Sequence, residues 1–233
     1  MDIALILSGG TGTRMGLDTP KQYIKVNDRP IIAYCIETLS RHHEIDAIQI
    51  VAEMQWHDFI KEYLVKFDLE KKFRGFSSPG ANRQLSIFNG LKDIRRYAGE
   101  DDYVMIHDAA RPMLTMEMIS GCFKEVKGHH GVLPVLPMKD TVYFSEDGTK
   151  VSELLDRSRI YAGQAPEVFV LGKYMDANEK LLPDKILEIN GSTEPAIMAG
   201  MDIVMIPGDE ANFKITTMSD LSRFRGYMEQ NGE

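Results

Sequence analysis

The sequence predicts an α/β fold around a mostly parallel, doubly wound sheet. Residues 3–7 form a nearly unbroken apolar run closed by Gly9 and Gly10, the pattern of a strand buried on both faces. Through residue 67 the patterning alternates strand, helix, strand, helix, which calls for right-handed crossovers. A later apolar run, 103–106, ends on His107 and Asp108. The carboxyl ends of strands are where open α/β sheets bind ligands.

The first strand is followed by Gly9, Gly10 and Gly12. Glycine lets backbone N–H groups turn inward and lets a phosphate approach closely. Arg14 and Lys21 come next, with Asp18 the one acid between them. The stretch therefore offers a polyphosphate both backbone donors and two fixed cations. It is not a Walker loop, which ends in Gly-Lys-Ser/Thr. Nor is it a dinucleotide fingerprint, because Met15 stands where the third glycine belongs.

Residues 30–39 space their apolar side chains as a helix does, 45–51 read as a second strand, and 56–67 as an amphipathic helix. Trp56 and His57 on that helix are packing or surface residues rather than ligands. Pro79-Gly80-Ala81-Asn82-Arg83-Gln84-Leu85-Ser86 leads into a helix expected over 87–97. A glycine turn with Arg83 and Ser86 at a helix start is either a second anion or polar-edge site, or a plain N-cap turn.

At the end of the 103–106 strand, His107, Asp108 and Arg111 are delivered to the ligand-binding edge. A carboxylate there, near a phosphate loop, is the expected Mg²⁺ ligand, since magnesium takes one or two carboxylates plus substrate phosphates. Asp108 is too far from the helix expected near 115 to be a simple cap. Residues 131–138 are apolar but hold Pro134 and Pro137, which argue for a strand end or an edge position. An alternating segment then turns at Glu146-Asp147-Gly148-Thr149, a hairpin signal. Residues 139–161 are expected to leave the sheet as an arm of a single domain spanning 1–233. Residues 202–206 make a late strand, and Ser219-Asp220-Leu221 opens the last helix.

Composition narrows the function. The 233 residues are 43% hydrophobic and 27% charged, with a net charge of −8. That allows a sizeable core but is a poor match to general nucleic-acid binding, which needs a basic face. Any polyphosphate site must then concentrate its cations locally. No apolar run approaches the ~18 residues of a membrane helix, and no secretory signal is legible. Cys35 and Cys122 match no metal spacing and are expected as buried, reduced thiols of a cytoplasmic protein.

Taken together, Ser8-Gly9-Gly10-Thr11-Gly12-Thr13-Arg14-Met15-Gly16 with Pro20-Lys21-Gln22-Tyr23, the 80–86 segment, His107-Asp108-Ala109-Ala110-Arg111-Pro112 and Asn212-Phe213-Lys214-Ile215-Thr216 resemble the polyol-phosphate cytidylyltransferases. These include the 2-C-methyl-D-erythritol 4-phosphate and ribitol-5-phosphate enzymes. The resemblance runs from Ile3 to Leu221. It implies a Rossmann-like nucleotidyltransferase fold, a mostly parallel twisted sheet and a protruding β-arm that pairs two subunits into a homodimer. It implies CTP and a sugar-alcohol phosphate as substrates, and Mg²⁺ as cofactor.

The nucleotide would meet Leu7, Ser8, Gly9, Gly10, Thr11 and Gly12, with Gly80, Arg83, Ser86 and His107 beside the base and ribose. Arg14, Lys21 and Lys214 would be catalytic, and Asp108 and Glu210 would hold the metal, with Asp209 competing for the second role. Thr141, Arg157 and Thr193 would bind the acceptor, Arg157 reaching into the neighbouring subunit.

The chain departs from the family pattern at Pro79, which replaces a glycine. It also has Ala165 and Glu167 in place of Thr and Gln, and Glu194-Pro195 where an acidic pair is usual. The departures at 165, 167, 194 and 195 lie on the acceptor side. The expected product is 4-CDP-2-C-methyl-D-erythritol, with CDP-ribitol the alternative those departures keep open. An oxidoreductase would need the missing third glycine and could offer only Glu53 as its ribose acid. A non-catalytic nucleotide-binding protein would keep the loop but lose Arg14, Lys21, Asp108 and Lys214, all of which are present.

Overall fold

In the computed structural model, residues 1–10, 19–67 and 69–230 are described. They run β1 (Asp2–Leu7), β2 (Lys25–Val26), β3 (Arg29–Pro30), α1 (Ile31–Arg41), β4 (Ala47–Val51), α2 (His57–Lys66), β5 (Phe73–Ser77), α3 (Arg83–Ile94), β6 (Tyr103–Asp108) and α4 (Met116–Glu125). Then follow β7 (Gly131–Pro137), β8 (Val142–Phe144), β9 (Glu153–Leu155), β10 (Tyr161–Gly163), β11 (Glu167–Val170), α5 (Leu171–Glu179), α6 (Glu194–Met198), β12 (Ile203–Pro207) and α7 (Met218–Gln230).

The main sheet has eight strands in the order β10-β7-β11-β6-β1-β4-β5, with β12 on the other side of β7. β1 pairs in parallel with β4 and with β6, β4 with β5, and β7 with β12, while β10 and β11 run antiparallel to their neighbours. The period-two alternation of β1 splits its apolar run between two cores. Ala4 and Ile6 pack with Ile32, Ile36 and Leu39 of α1 and with Ile60, Leu64, Ile119 and Phe123 of α2 and α4. Ile3 and Leu5 pack on the opposite face with Ile87, Leu91 and Ile94 of α3 and with Leu171 and Tyr174 of α5. Each of the Ile, Leu and Phe side chains gains about 1.5–3 kcal/mol on burial. A strand that must satisfy both faces has no polar positions, which is why it reads as a continuous apolar run.

Three elements differ from the sequence reading. α3 starts at Arg83, because the Asn82 side chain accepts from Leu85 N at 2.8 Å and caps the helix early. β5, which passes through Gly75 at φ +146°, shows no alternating pattern and is not legible in the sequence. β7 is an interior strand despite its prolines. The Pro134 carbonyl accepts from Gln164 N at 2.8 Å. Its nitrogen therefore faces the side where residues 164–166 bulge between β10 and β11. The donor that proline lacks has no ladder partner to leave unmet.

The segment at 139–161 holds β8 and β9, which form a separate two-stranded antiparallel sheet. Its turn sits where the sequence places it. Asp147 Oδ1 accepts from Thr149 N at 2.8 Å and Lys150 N at 3.0 Å, and Gly148 takes φ +73°. Tyr143, Phe144, Val151 and Leu154 of this segment are exposed. Trp56 stacks on Tyr23 and His57 on Phe76, as packing residues. Cys35 and Cys122 are free and buried, and burial pushes both thiols up to about 12. No helix among the described residues is long and apolar enough to cross a membrane.

Candidate active site

The carboxyl ends of β1, β4 and β6 converge on a cavity of about 460 Å³. Leu7, Gly9 and Gly10 form one wall, and Pro79, Gly80, Ala81 and Asn82 the facing one. The two backbones approach so closely that a Cβ on Gly9 would lie 2.7 Å from Pro79 Cβ. A Cβ on Gly80 would lie 2.6 Å from the Leu85 side chain. On these cavity walls, both positions require glycine for space. Asn82 and Arg83 begin α3 at the cavity wall, so the positive end of that helix faces the space, as suits an anion.

The first loop is strapped from below. Gln22 Nε2 donates to Ser8 O at 2.8 Å and to Gly10 O at 2.7 Å. The Ser8 hydroxyl donates to Tyr23 Oη at 2.9 Å. Buried Gln22 and Tyr23 thereby fix the short turn Lys21–Tyr23 and carry Lys21 to the cavity wall. Ser8 itself lies under the loop, buried rather than lining the cavity. Ser86 lines the wall, but its hydroxyl donates to Asn82 O at 2.8 Å and accepts from Gly80 N at 2.9 Å, so it shapes the second loop.

A second cavity, about 420 Å³, opens beside the first and is lined by Arg111, Leu133, Gly163, Ala165, Glu167 and residues 190–194 among others. Arg83, Asp108 and Lys214 line both. Asp108, at the end of β6, is buried at this junction. Its Oδ1 accepts from Arg83 Nε at 3.2 Å and Nη2 at 3.1 Å. Lys214 Nζ lies 3.0 Å from Oδ2, and Arg111 Nε 3.5 Å from the same oxygen. Burial would push this carboxyl up. The summed pull of Arg83, Lys214 and Arg111 outweighs it and holds Asp108 far below the usual carboxylate range. Three cations thus gather around the one Asp108 carboxylate, in a chain whose overall charge is negative.

Several sequence-predicted residues lie apart from the cavities. His107 is fully buried and lines neither one. Its Nε2 meets Arg111 O at 3.1 Å, so it braces the turn that carries Arg111. Among the described residues, its Nδ1 is one of the buried polar atoms without a hydrogen-bond partner. Burial lowers its pKa to about 4 and keeps the ring neutral. Glu210 is exposed, paired with Lys139, and outside both cavities, so it is not brought to Asp108. Asp209 also lies outside both cavities, its carboxylate accepting from Ala211 N at 2.8 Å.

Thr141 is exposed and lines neither cavity, as is Arg157, whose Nη1 donates to Lys139 O at 2.8 Å. Thr193 lines the second cavity. Thr11, Gly12 and Arg14 lie outside the described residues. Sequence reasoning did not assign roles to Gln22, Tyr23 or Glu53. Nor did it foresee that Glu167 and Ser192 would join Thr193 on one wall. The Pro-Lys-Gln-Tyr string was the available signal for the first two.

Comparison with known proteins agrees with this geometry. The family model for IspD, 2-C-methyl-D-erythritol 4-phosphate cytidylyltransferase, matches residues 3–230. A ribitol-5-phosphate cytidylyltransferase of Streptococcus agalactiae serotype III is 31% identical over 97% of this chain and 94% of its own. A 2-C-methyl-D-erythritol 4-phosphate cytidylyltransferase of Geobacter metallireducens is 32% identical over 94% of this chain and 93% of its own. The crystal structure of 4-diphosphocytidyl-2C-methyl-D-erythritol synthase from Anaerococcus prevotii superposes with a TM-score of 0.83 at 26% identity, covering 98% of this chain and 96% of that one. The two glycine-lined walls, the Asp108 junction and these matches lead to one conclusion: the chain belongs to the IspD family of cytidylyltransferases.

Proposed function

We propose that the chain transfers the cytidylyl group of CTP to ribitol 5-phosphate, releasing pyrophosphate and forming CDP-ribitol. The observation that carries this reading is the sharing of Arg83, Asp108 and Lys214 by two adjoining cavities. A transfer between two phosphates needs one space for each substrate and a positive junction where they meet. The choice of acceptor rests on the relatives named for ribitol 5-phosphate and on the acceptor-side residues Ala165 and Glu167. Methylerythritol 4-phosphate is the second reading, favoured by the family model and the Geobacter relative.

CTP occupies the glycine-lined cavity, with its base and ribose along residues 80–86 and its phosphates toward Lys21 and the junction. The acceptor occupies the second cavity. Its phosphate oxygen attacks the α-phosphorus in line as the bond to the β-phosphate oxygen breaks. That phosphate is largely a dianion near neutral pH (second pKa about 6), so no strong base is needed. The barrier is dominated by alignment and repulsion between anions. Lys21 and Arg14 spread the charge growing on the leaving pyrophosphate. Lys214, Arg83 and Arg111 release part of their hold on Asp108 to meet the two phosphates. Arg157 and the β8–β9 segment act from a second subunit, which accounts for an arginine that reaches neither cavity of its own chain.

The described residues contain no group of three or more His, Cys, Asp or Glu arranged for a metal. The donors fit a magnesium ion that arrives with the nucleotide. Asp108 is the one acidic side chain among the described residues common to both cavities, and phosphate oxygens complete the rest of such a shell. Asp108 would hold the ion, which would supply positive charge against the triphosphate.

Pyrophosphate release on mixing the protein with CTP, Mg²⁺ and each polyol phosphate tests the assignment. Ribitol 5-phosphate should give the highest kcat/KM. A higher value with methylerythritol 4-phosphate would transfer the assignment to that acceptor, and release with neither would end the reading.

A further inference from the structure

The second cavity contains a buried carboxylate that the reaction does not use. Glu167, at the start of β11, is buried, and each of its oxygens is engaged by a hydroxyl: Ser192 Oγ donates to Oε2, and Thr193 Oγ1 donates to Oε1 at 3.3 Å. Ser192 and Thr193 are themselves buried, and all three side chains line the cavity. The apolar part of the lining is Leu133, Ala165 and Ile197. Ala165 gives this wall no hydroxyl, and Glu167, Ser192 and Thr193 form a polar cluster on it.

The chemistry of that wall follows from donor counting. A hydroxyl has one hydrogen and two lone pairs. Burial raises the Glu167 carboxyl, and Arg83 and the Ser192 hydroxyl pull it back. In its ionised form, which only accepts, it takes the hydrogens of Ser192 and Thr193, and these then present only lone pairs to whatever fills the cavity. Such a surface binds a group that donates. A ligand with a methyl or a bare ether there leaves desolvated acceptors unpaired. Sites built to hydrogen-bond a hydroxyl discriminate strongly against analogues lacking it.

We propose that Glu167 is the specificity-setting positioning residue of the acceptor cavity, turning Ser192 and Thr193 into obligate acceptors that read a free hydroxyl of an unbranched polyol phosphate. This inference rests on the cytidylyl-transfer reading of the same cavity and names what selects its substrate. Glu167 touches no reacting atom. It acts through the two hydroxyls, and Arg83, held on Asp108, supplies the facing charge.

The test compares ribitol 5-phosphate with its series of monodeoxy analogues, at saturating CTP, in wild type and in Glu167→Gln. The amide donates to one hydroxyl where the carboxylate accepted, freeing that hydroxyl's hydrogen. In wild type, at least one deoxy position should lower kcat/KM about tenfold, the size of one lost hydrogen bond in a desolvated site. In Glu167→Gln that penalty should fall to within about twofold, with KM for CTP unchanged. Ser192→Ala, which removes one of the reading groups, should reduce the same penalty and keeps the test valid if Glu167→Gln does not fold. Equal penalties in wild type and both variants would overturn the proposal while leaving the enzyme's function intact. A wild type inactive on every polyol phosphate would overturn both.

Discussion

Lys214 Nζ and Asp108 Oδ2 lie 3.0 Å apart at the seam between two cavities, joining a lysine from the C-terminal part of the chain to the end of β6. The pair sets the charge of the junction, because Asp108 is also what holds Arg83 and Arg111 in place.

Asp108→Asn should therefore fail in two separate ways. Three cations lose their common anion, which costs about 3 kcal/mol of stability, as breaking a buried ion pair typically does. Turnover should drop at least about 100-fold through lost charge organisation. Thermal melts and steady-state pyrophosphate release measure the two effects. A fully active, equally stable variant would remove Asp108 from the site.

Lys21→Ala should lower kcat by about 100-fold or more, as loss of one charge stabiliser does. Its turn is pinned by Gln22 and Tyr23, so the melting temperature should hardly move. Wild-type turnover at saturating CTP would refute the role.

Gly9→Ala puts a Cβ against Pro79 and must push the two glycine-lined walls apart. KM for CTP should rise about tenfold or more, consistent with the cost of small misplacements in a site. KM for the acceptor should stay near the wild-type value. Calorimetric titration with CTP in the absence of acceptor gives the check.

His107 gives a pH signature. Burial lowers its pKa from 6.5 to about 4. As pH falls below 6.5 the unfolded chain takes up a proton that the native state refuses until about 4. The neutral ring's contribution to stability is thus complete above pH 6.5 and is lost toward pH 4, at up to about 1.4 kcal/mol per pH unit. His107→Gln keeps a donor for Arg111 O and should flatten that slope. Urea melts across the window decide, and an identical slope would contradict the burial argument.

On the proposed subunit pairing, Leu154→Glu places a charge among the exposed apolar side chains of the β8–β9 segment and should leave monomer where the wild type sediments as dimer. Mixing Arg157→Ala with Asp108→Asn subunits should restore activity to about a quarter of the wild-type sites, the statistical share in which an intact Asp108 meets a partner's intact Arg157. No restoration would place Arg157 in its own chain's chemistry.

The sequence makes the scaffold legible where one physical demand dominates a segment. β1 and β6 must be apolar on both faces, and Asp147-Gly148 must turn, so these elements stand where the patterning puts them. Gly9, Gly80, Arg83 and Asp108 were legible as bare backbone and charge at one sheet edge, and Lys214 and Thr193 through the family resemblance; all six line the two cavities. What escaped depended on three-dimensional partners. β5 has no pattern of its own, and Pro134 of β7 is tolerated because residues 164–166 bulge away beside it. His107 shares a strand end with Asp108 yet faces inward under Arg111. Glu210 sits close to Lys214 in sequence but is held by Lys139 outside the cavities. The Glu167 wall could not be foreseen, since its members lie about 25 residues apart and no string advertises their meeting.

A carboxylate common to two chambers makes the ligands of those chambers thermodynamic partners. On the proposed occupancy, whichever ligand arrives first would draw Arg83 or Lys214 toward itself and reset the potential that the second would feel. Linkage requires the effect to be equal in either order. Measured separately, the affinities of nucleotide and polyol phosphate will misstate their joint affinity, and the discrepancy is the energy the seam transmits.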